Sequence, residues 1–160
     1  TRELRRAHRD GGEVALALLD LDRFKQLNDS SGHLAGDRAL RVLADVIRNE
    51  VRGMDWPARV GGDEFAVLLP RADAEQATRV ADRLRAAIED EFADGPLALL
   101  ASVGVATSGG RELSADQLLA EADGALYAAK GRGGGRVFTT GSEPEAVESP
   151  ATPAGLASGS

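Results

Sequence analysis

The sequence predicts an α+β domain: a mixed sheet with helices packed on it, not a pure parallel barrel. Three observations carry this. Helical and strand periodicities alternate along the chain. At least one pair of strands is joined as a hairpin, at Gly61-Gly62. The first strand is apolar at every position, as suits a strand buried on both faces.

The elements follow in order. Arg2 to Arg9 is charged and helix-compatible. Val14 to Leu19 is the unbroken apolar strand, ending in Asp20. A short helical piece lies around Arg23 to Asn28. Leu40, Leu43, Ala44, Ile47 and Val51 recur at i, i+3, i+4, i+7 and i+11, the stripe of an amphipathic helix. Trp56 to Val60 is extended, and Phe65 to Leu69 is the returning strand, closed by Pro70. Asp73 with Gln76 makes a capping box for a helix carrying Ala77, Val80, Ala81, Leu84 and Ile88 on one face. Leu97 to Ala106 reads as one or two strands. Ser114 with Gln117 makes a second capping box, and Leu118, Ala122, Ala125 and Ala129 continue that helix. A glycine-rich turn leads to a short strand near Arg136 to Phe138. From Gly141 to Ser160 the chain turns to Ser, Pro, Ala, Gly and Glu with little to bury, the composition of a disordered tail. The expected organisation is one domain over residues 1–140 and a tail over 141–160.

Composition narrows the chemistry. A length of 160 residues suits one domain with a real core. There are no cysteines, which excludes disulfides, thiolate zinc sites and cysteine nucleophiles. His8 and His33 are the only histidines, so any metal site must be built from carboxylates and carbonyls, which favours magnesium, calcium or manganese. A formal charge of -7 argues against a nucleic acid polymer as partner. A nucleotide is still compatible, if a cation sits between carboxylates and phosphates. No apolar run approaches the length of a membrane span. The expectation is a cytoplasmic domain with no membrane contact within this chain, whose parent protein could be anchored elsewhere.

Two acidic clusters stand out: Asp20-Leu21-Asp22 at the end of the buried strand, and Asp63-Glu64 after the glycine hairpin. Taken singly, Gly-Gly-Asp is an ordinary hairpin turn and Asp20 a helix cap. Together, with apolar strands leading into both, they point to carboxylates gathered around a divalent cation, which relieves their mutual repulsion. The glycines are expected to allow positive φ and the close approach of a phosphate or base.

With these residues in place, the chain resembles the GGDEF family of diguanylate cyclases. The resemblance runs from Val14 to about Val137. It includes Asp20-Leu21-Asp22-Arg23-Phe24-Lys25, Asn28-Asp29, Gly32-His33, Gly36-Asp37 and Arg59-Val60-Gly61-Gly62-Asp63-Glu64-Phe65. It ends with Ala122-Asp123, Ala125-Leu126-Tyr127 and Ala129-Lys130. It implies a central, largely antiparallel mixed sheet of about five strands wrapped by helices, related to polymerase palms and nucleotidyl cyclases. It also implies condensation of two GTP into cyclic di-GMP with release of two pyrophosphates, at a homodimer of two domains. Two Mg2+ (or Mn2+) per active site would be held by Asp20, the Leu21 carbonyl, Asp63 and Glu64.

By the same resemblance Asp63 and Glu64 are the catalytic pair; Glu64 is either a second-metal ligand or helps deprotonate the attacking hydroxyl. Phe24, Lys25 and Lys130 would lie at the phosphates, Asn28 and Asp37 at the guanine, His33 near base or ribose, and Gly62 where a phosphate or base approaches the backbone. A carboxylate at Asp37 accepts from guanine N1–H and N2–H, donors that adenine lacks there. Arg52, Asp55 and Arg83 match an inhibitory site for the cyclic product, where an arginine fork binds phosphate and stacks on guanine.

The resemblance has three departures. The chain opens at Thr1-Arg2-Glu3-Leu4 where the family usually has an Asp-x-Leu-Thr segment and a short helix, so an N-terminal wall is expected to be missing. Gly134-Gly135 stand where the family often has Arg-Asn, leaving Arg132 or Arg136 as substitutes. Ser31 replaces a larger residue. The rival readings are a catalytically weak or inactive GGDEF domain that binds GTP or cyclic di-GMP, a partner-binding domain whose helices mainly mediate dimerisation, and a cyclase of different nucleotide choice.

Overall fold

The structure is a computed structural model and describes residues 5–6, 12–95 and 98–140. The opening segment, apart from Arg5 and Arg6, and the tail at 141–160 lie outside the described residues.

Five strands form one sheet in the order β2-β3-β1-β4-β5. They are β1 (Val14–Leu21), β2 (Trp56–Arg59), β3 (Glu64–Pro70), β4 (Ala101–Thr107) and β5 (Val137–Thr139). The helices are α1 (Phe24–Ser31), α2 (His33–Glu50), α3 (Ala74–Phe92) and α4 (Ala115–Gly131). Three pairings are antiparallel and β4–β5 alone is parallel. This is the mixed, largely antiparallel sheet expected. Of the region expected as one or two strands, the described residues from 98 onward hold the single strand β4.

The central strand β1 is buried along its whole length. Its alternation divides the core. Ala15, Ala17, Leu19 and Leu21 face the large cluster built with α2 and α3, including Leu43, Ile47, Leu84 and Ile88. Val14, Leu16 and Leu18 face a smaller cluster under α4, with Leu118, Ala122 and Leu126. Period-two geometry therefore puts Asp20, next in that second row, on the α4 side of the sheet.

Gly104 on β4 lets α4 come close. A Cβ there would lie 2.2 Å from the Leu126 amide nitrogen and 2.3 Å from the Ala122 carbonyl oxygen. Both expected capping boxes are present: Asp73 accepts from the Gln76 N–H at 2.7 Å, and the Ser114 hydroxyl from the Gln117 N–H at 3.2 Å.

Candidate active site

The apolar row of β1 ends in Asp20, which is buried at 8% exposure. Its neighbour across the antiparallel ladder is Glu64, the first residue of β3. Residues directly opposite in a ladder present side chains to one face, so the glycine hairpin carries its acidic pair to the end of β1. The hairpin is closed by two N–H groups, of Val60 and Gly61, on the Glu64 carbonyl at 3.0 and 3.4 Å. The Arg59 guanidinium braces the tip: its Nη2 donates to the Gly62 carbonyl at 2.7 Å and its Nε at 3.1 Å.

Among the described residues, glycines with positive φ are Gly32, Gly109, Gly110, Gly133, Gly134 and Gly135, and not Gly61 or Gly62. The expectation of left-handed glycines in the hairpin is therefore corrected. The reversal is spread over residues 60–63. Nothing lies within 4 Å of a Cβ built on Gly62, while one on Gly61 would sit 3.0 Å from Glu64 Oε2.

Asp20 Oδ2 is paired with Lys130 Nζ at 2.5 Å. Its Oδ1 is buried and has no hydrogen-bond partner. Burial pushes the Asp20 carboxyl up from 3.8 to about 6; Lys130 opposes that rise, and the neighbouring Asp63 adds to it. Lys130, expected at phosphates, thus neutralises Asp20 here. Among the described residues, no three His, Cys, Asp or Glu side chains gather as a ready metal cage. The donor set still fits a hard cation. An orphaned buried carboxylate oxygen, a second carboxylate beside it and an adjacent carbonyl are oxygen ligands short of a full shell, which phosphate oxygens would complete. Leu21 is buried in the core at 1% exposure, so only its carbonyl could join them.

Arg23, just past β1, holds a left-handed backbone (φ 62) and starts α1 without a side-chain cap. The first N–H groups of α1, at Phe24 and Lys25, are therefore available to an anion. The Phe24 ring is half-buried against the core, which leaves its backbone rather than its ring for that task. Lys25 and His33 are exposed. Asn28 packs on Gly36, where a Cβ would fall 2.0 Å from Asn28 Oδ1. Next to Gly36, Asp37 lines a cavity of about 430 Å³ between α2 and the β2–β3 hairpin, floored by Leu40, Ala44 and Phe65. Asn28 and Asp37 are thus brought to neighbouring positions.

Arg52 and Asp55 share one turn after α2. The Asp55 carboxylate accepts from the Arg52 N–H at 2.9 Å, and the Asp55 N–H donates to the Arg52 carbonyl at 2.9 Å. Arg83 on α3 reaches the same corner, with Nε on Glu50 Oε2 at 3.1 Å and Nη2 on the Glu50 carbonyl at 2.8 Å. The two substitutes considered for the absent family arginine are both engaged locally. The Arg132 guanidinium lies 4.9 Å from the centre of the Phe138 ring on β5, and Arg136 Nε donates to the Gly134 carbonyl at 3.3 Å.

Sequence reasoning missed the separate fate of Asp22. Its carboxylate accepts from Ser102 Oγ at 2.9 Å and from the Gly135 N–H at 2.7 Å. The Asp-x-Asp spacing puts both acids on one side of the strand line but does not tell them apart, because the partners of Asp22 lie 80 and 113 residues away.

An open palm-like sheet with a carboxylate and lysine site at one end defines the class: an α+β domain of the nucleotidyl cyclase type. The profile described as "Diguanylate cyclase, GGDEF domain" matches residues 1–136, and the chain belongs to that family. It is 44% identical over 138 residues to diguanylate cyclase DgcP of Pseudomonas aeruginosa, covering 84% of this chain and 20% of that protein. It is 38% identical over 140 residues to diguanylate cyclase DosC of Escherichia coli K12, covering 85% of this chain and 30% of that protein. The chain therefore spans a fifth to a third of these relatives. Among solved structures, the GGDEF domain of DgcB from Caulobacter crescentus, in complex with c-di-GMP, superposes with a TM-score of 0.79 at 32% identity, covering 86% of this chain and 84% of that one. No helix among the described residues is long and apolar enough to cross a membrane.

Proposed function

We propose that this domain is a diguanylate cyclase, condensing two GTP into cyclic di-GMP. The observation that carries the reading is the buried Asp20 with its unpartnered oxygen, set beside Asp63 and Lys130 next to the uncapped start of α1. Relatives named as diguanylate cyclases, and a c-di-GMP complex of a similar domain, support it.

Asp20, the Leu21 carbonyl, Asp63 and Glu64 would hold magnesium or manganese, two ions per site. Bound there, the metal supplies charge neutralisation and lowers the pKa of the attacking hydroxyl. The chain's own residues do the rest. The N–H groups of Phe24 and Lys25 and the ammonium groups of Lys25 and Lys130 hold the triphosphate. Asn28 and Asp37 read the guanine edge and so favour GTP, with His33 close to base or ribose. Gly62 leaves room over the hairpin tip. The ribose 3′-hydroxyl gives up its proton, with Glu64 acting either as a metal ligand or as the group that takes it, as the hydroxyl oxygen bonds the α-phosphorus of the GTP on the facing domain. Pyrophosphate leaves, and the same step on the other side closes the ring. Two domains meet face to face, so each contributes half of the reaction centre, and holding both substrates in line is itself a large part of the rate.

Product inhibition belongs to the same reading. Arg52, Asp55 and Arg83 lie at one corner, and Arg83 must share or release Glu50 to bind cyclic di-GMP. The proposed place of action is the cytoplasm. The test is incubation with GTP and magnesium at high protein concentration, with products resolved by chromatography and Asp63→Ala as control. Cyclic di-GMP from the native chain and none from the variant is expected. Binding of cyclic di-GMP without turnover would instead make the domain a receptor.

A further inference from the structure

We infer that Asp22 is a positioning residue: it clamps the glycine turn after α4 and thereby sets where Lys130 points. The inference rests on the reading of that site as a GTP site.

Asp20 and Asp22 are two residues apart and chemically identical, yet their surroundings differ. Asp20 keeps a free oxygen. Asp22 has both oxygens engaged, by the shared Ser102 hydroxyl at 2.9 Å and by the Gly135 N–H at 2.7 Å. Ser102 is fully buried on β4, so it is a fixed donor. The Asp22 N–H is itself fixed to the Leu100 carbonyl at 2.8 Å. Hydrogen bonds to a carboxylate are about twice as strong as neutral ones. This carboxylate is therefore a rigid post at the end of the sheet.

The turn is shaped to that post. Gly133, Gly134 and Gly135 are all left-handed, at φ 104, 73 and 61. A Cβ on Gly134 would lie 2.7 Å from Asp22 Oδ2. Three consecutive left-handed residues suit only glycine, and the close approach suits it again. The turn then reaches back to the helix: the Gly134 N–H donates to the Ala129 carbonyl at 3.2 Å and the Gly133 N–H to the Lys130 carbonyl at 3.0 Å. Asp22 is thus linked to the last turn of α4 through backbone alone. The Lys130 side chain is 39% exposed and its ammonium rests on Asp20 Oδ2 at 2.5 Å, so it is held at the tip by that carboxylate and at the root by the backbone of α4. A shift in the last turn of α4 moves that root and with it the aim of the side chain.

The experiment has two arms on Asp22→Asn, Lys130→Ala and the double variant, with Ser102→Ala as a milder variant that keeps the carboxylate. Hydrogen exchange is read without substrate, and initial rates with GTP and magnesium. We expect the amides of residues 133–135 to exchange faster in Asp22→Asn and not in Lys130→Ala. Asp22→Asn raises KM for GTP about tenfold with kcat within about threefold, as loss of uniform binding does. The double variant is no worse than Lys130→Ala, because both changes act through one group. Ser102→Ala follows in the same direction with a smaller rise. Unchanged exchange at residues 133–135 overturns the clamp. Effects on KM that multiply in the double variant overturn the route through Lys130, as does a loss of thermal stability with unchanged KM. If the native chain makes no cyclic dinucleotide, the functional reading fails, while the exchange arm still decides the clamp.

Discussion

Replacing Asp20 with asparagine separates what this carboxylate does for the fold from what it does for the site. Its pKa is pushed up from 3.8 to about 6, mainly by burial, even with Lys130 alongside. The charged form is therefore disfavoured in the folded protein by about 2 pH units, or roughly 3 kcal/mol at about 1.36 kcal/mol per unit. That figure already contains the attraction of Lys130, because it compares charged with neutral carboxyl in the same surroundings. Asparagine copies the neutral form. In EDTA at about pH 7.5, Asp20→Asn should be more stable than the native chain by up to roughly 3 kcal/mol, on the order of 10 °C in Tm. The sign with pH follows from linkage. The folded state holds the proton more tightly than the unfolded chain, so this contribution is fully present below pH 3.8 and is lost as pH rises through about 6. The stability gap between variant and native chain should close as pH falls across that window. Magnesium should then raise the Tm of the native chain and leave the variant unmoved. Urea melts at several pH values read the stability gap, and thermal melts with and without magnesium read the Tm shifts. A variant less stable than the native chain at neutral pH in EDTA would refute the reasoning.

Other substitutions test neighbouring parts. Gly104→Ala forces a methyl against the α4 backbone and should cost about 3 kcal/mol or more in denaturant melts, since helix backbone cannot step aside as a side chain can. Gly36→Ala displaces the Asn28 carboxamide, a movable group, so it should raise KM for GTP about tenfold while changing Tm by only a few degrees. Arg52→Ala should leave initial rates unchanged and abolish inhibition by added cyclic di-GMP in a turnover assay; retained inhibition would disconnect the Arg52 turn from the product. Asp73→Ala removes a capping box far from the site and should cost about 1 kcal/mol with no change in KM.

Much of the fold was legible in the sequence because its cues are local. The apolar run of β1 required burial on both faces, and the capping boxes at Asp73 and Ser114 fixed two helix starts. The alternation of β1 also predicts which face receives Asp20. What was not legible depends on partners distant in sequence. Asp22 meets Ser102 and Gly135 across separations of 80 and 113 residues, and nothing in Asp20-Leu21-Asp22 says which acid is bound and which stays open. The conformation of the glycines is hidden for the same reason. The left-handed turn is at Gly133 to Gly135, where a carboxylate from another strand must be approached, and not in the Gly61-Gly62 hairpin.

The properties of Asp20 are therefore properties of how α4 packs. Val14, Leu16 and Leu18 form an apolar row under Leu118, Ala122 and Leu126, and Asp20 continues that row. Gly104 brings the helix close enough to dry the row, and drying is the largest cause of the raised pKa. The same helix delivers Lys130, which partly offsets the cost of burying that charge. One contact surface therefore both destabilises the carboxylate as a free anion and leaves it with an oxygen that nothing in the described chain satisfies. On the proposed reading both conditions favour a bound cation, since free energy withheld from the empty carboxylate is recovered when a positive charge enters. Gly104 and the apolar face of α4 would thereby tune the proposed centre through Asp20, without touching a cation themselves.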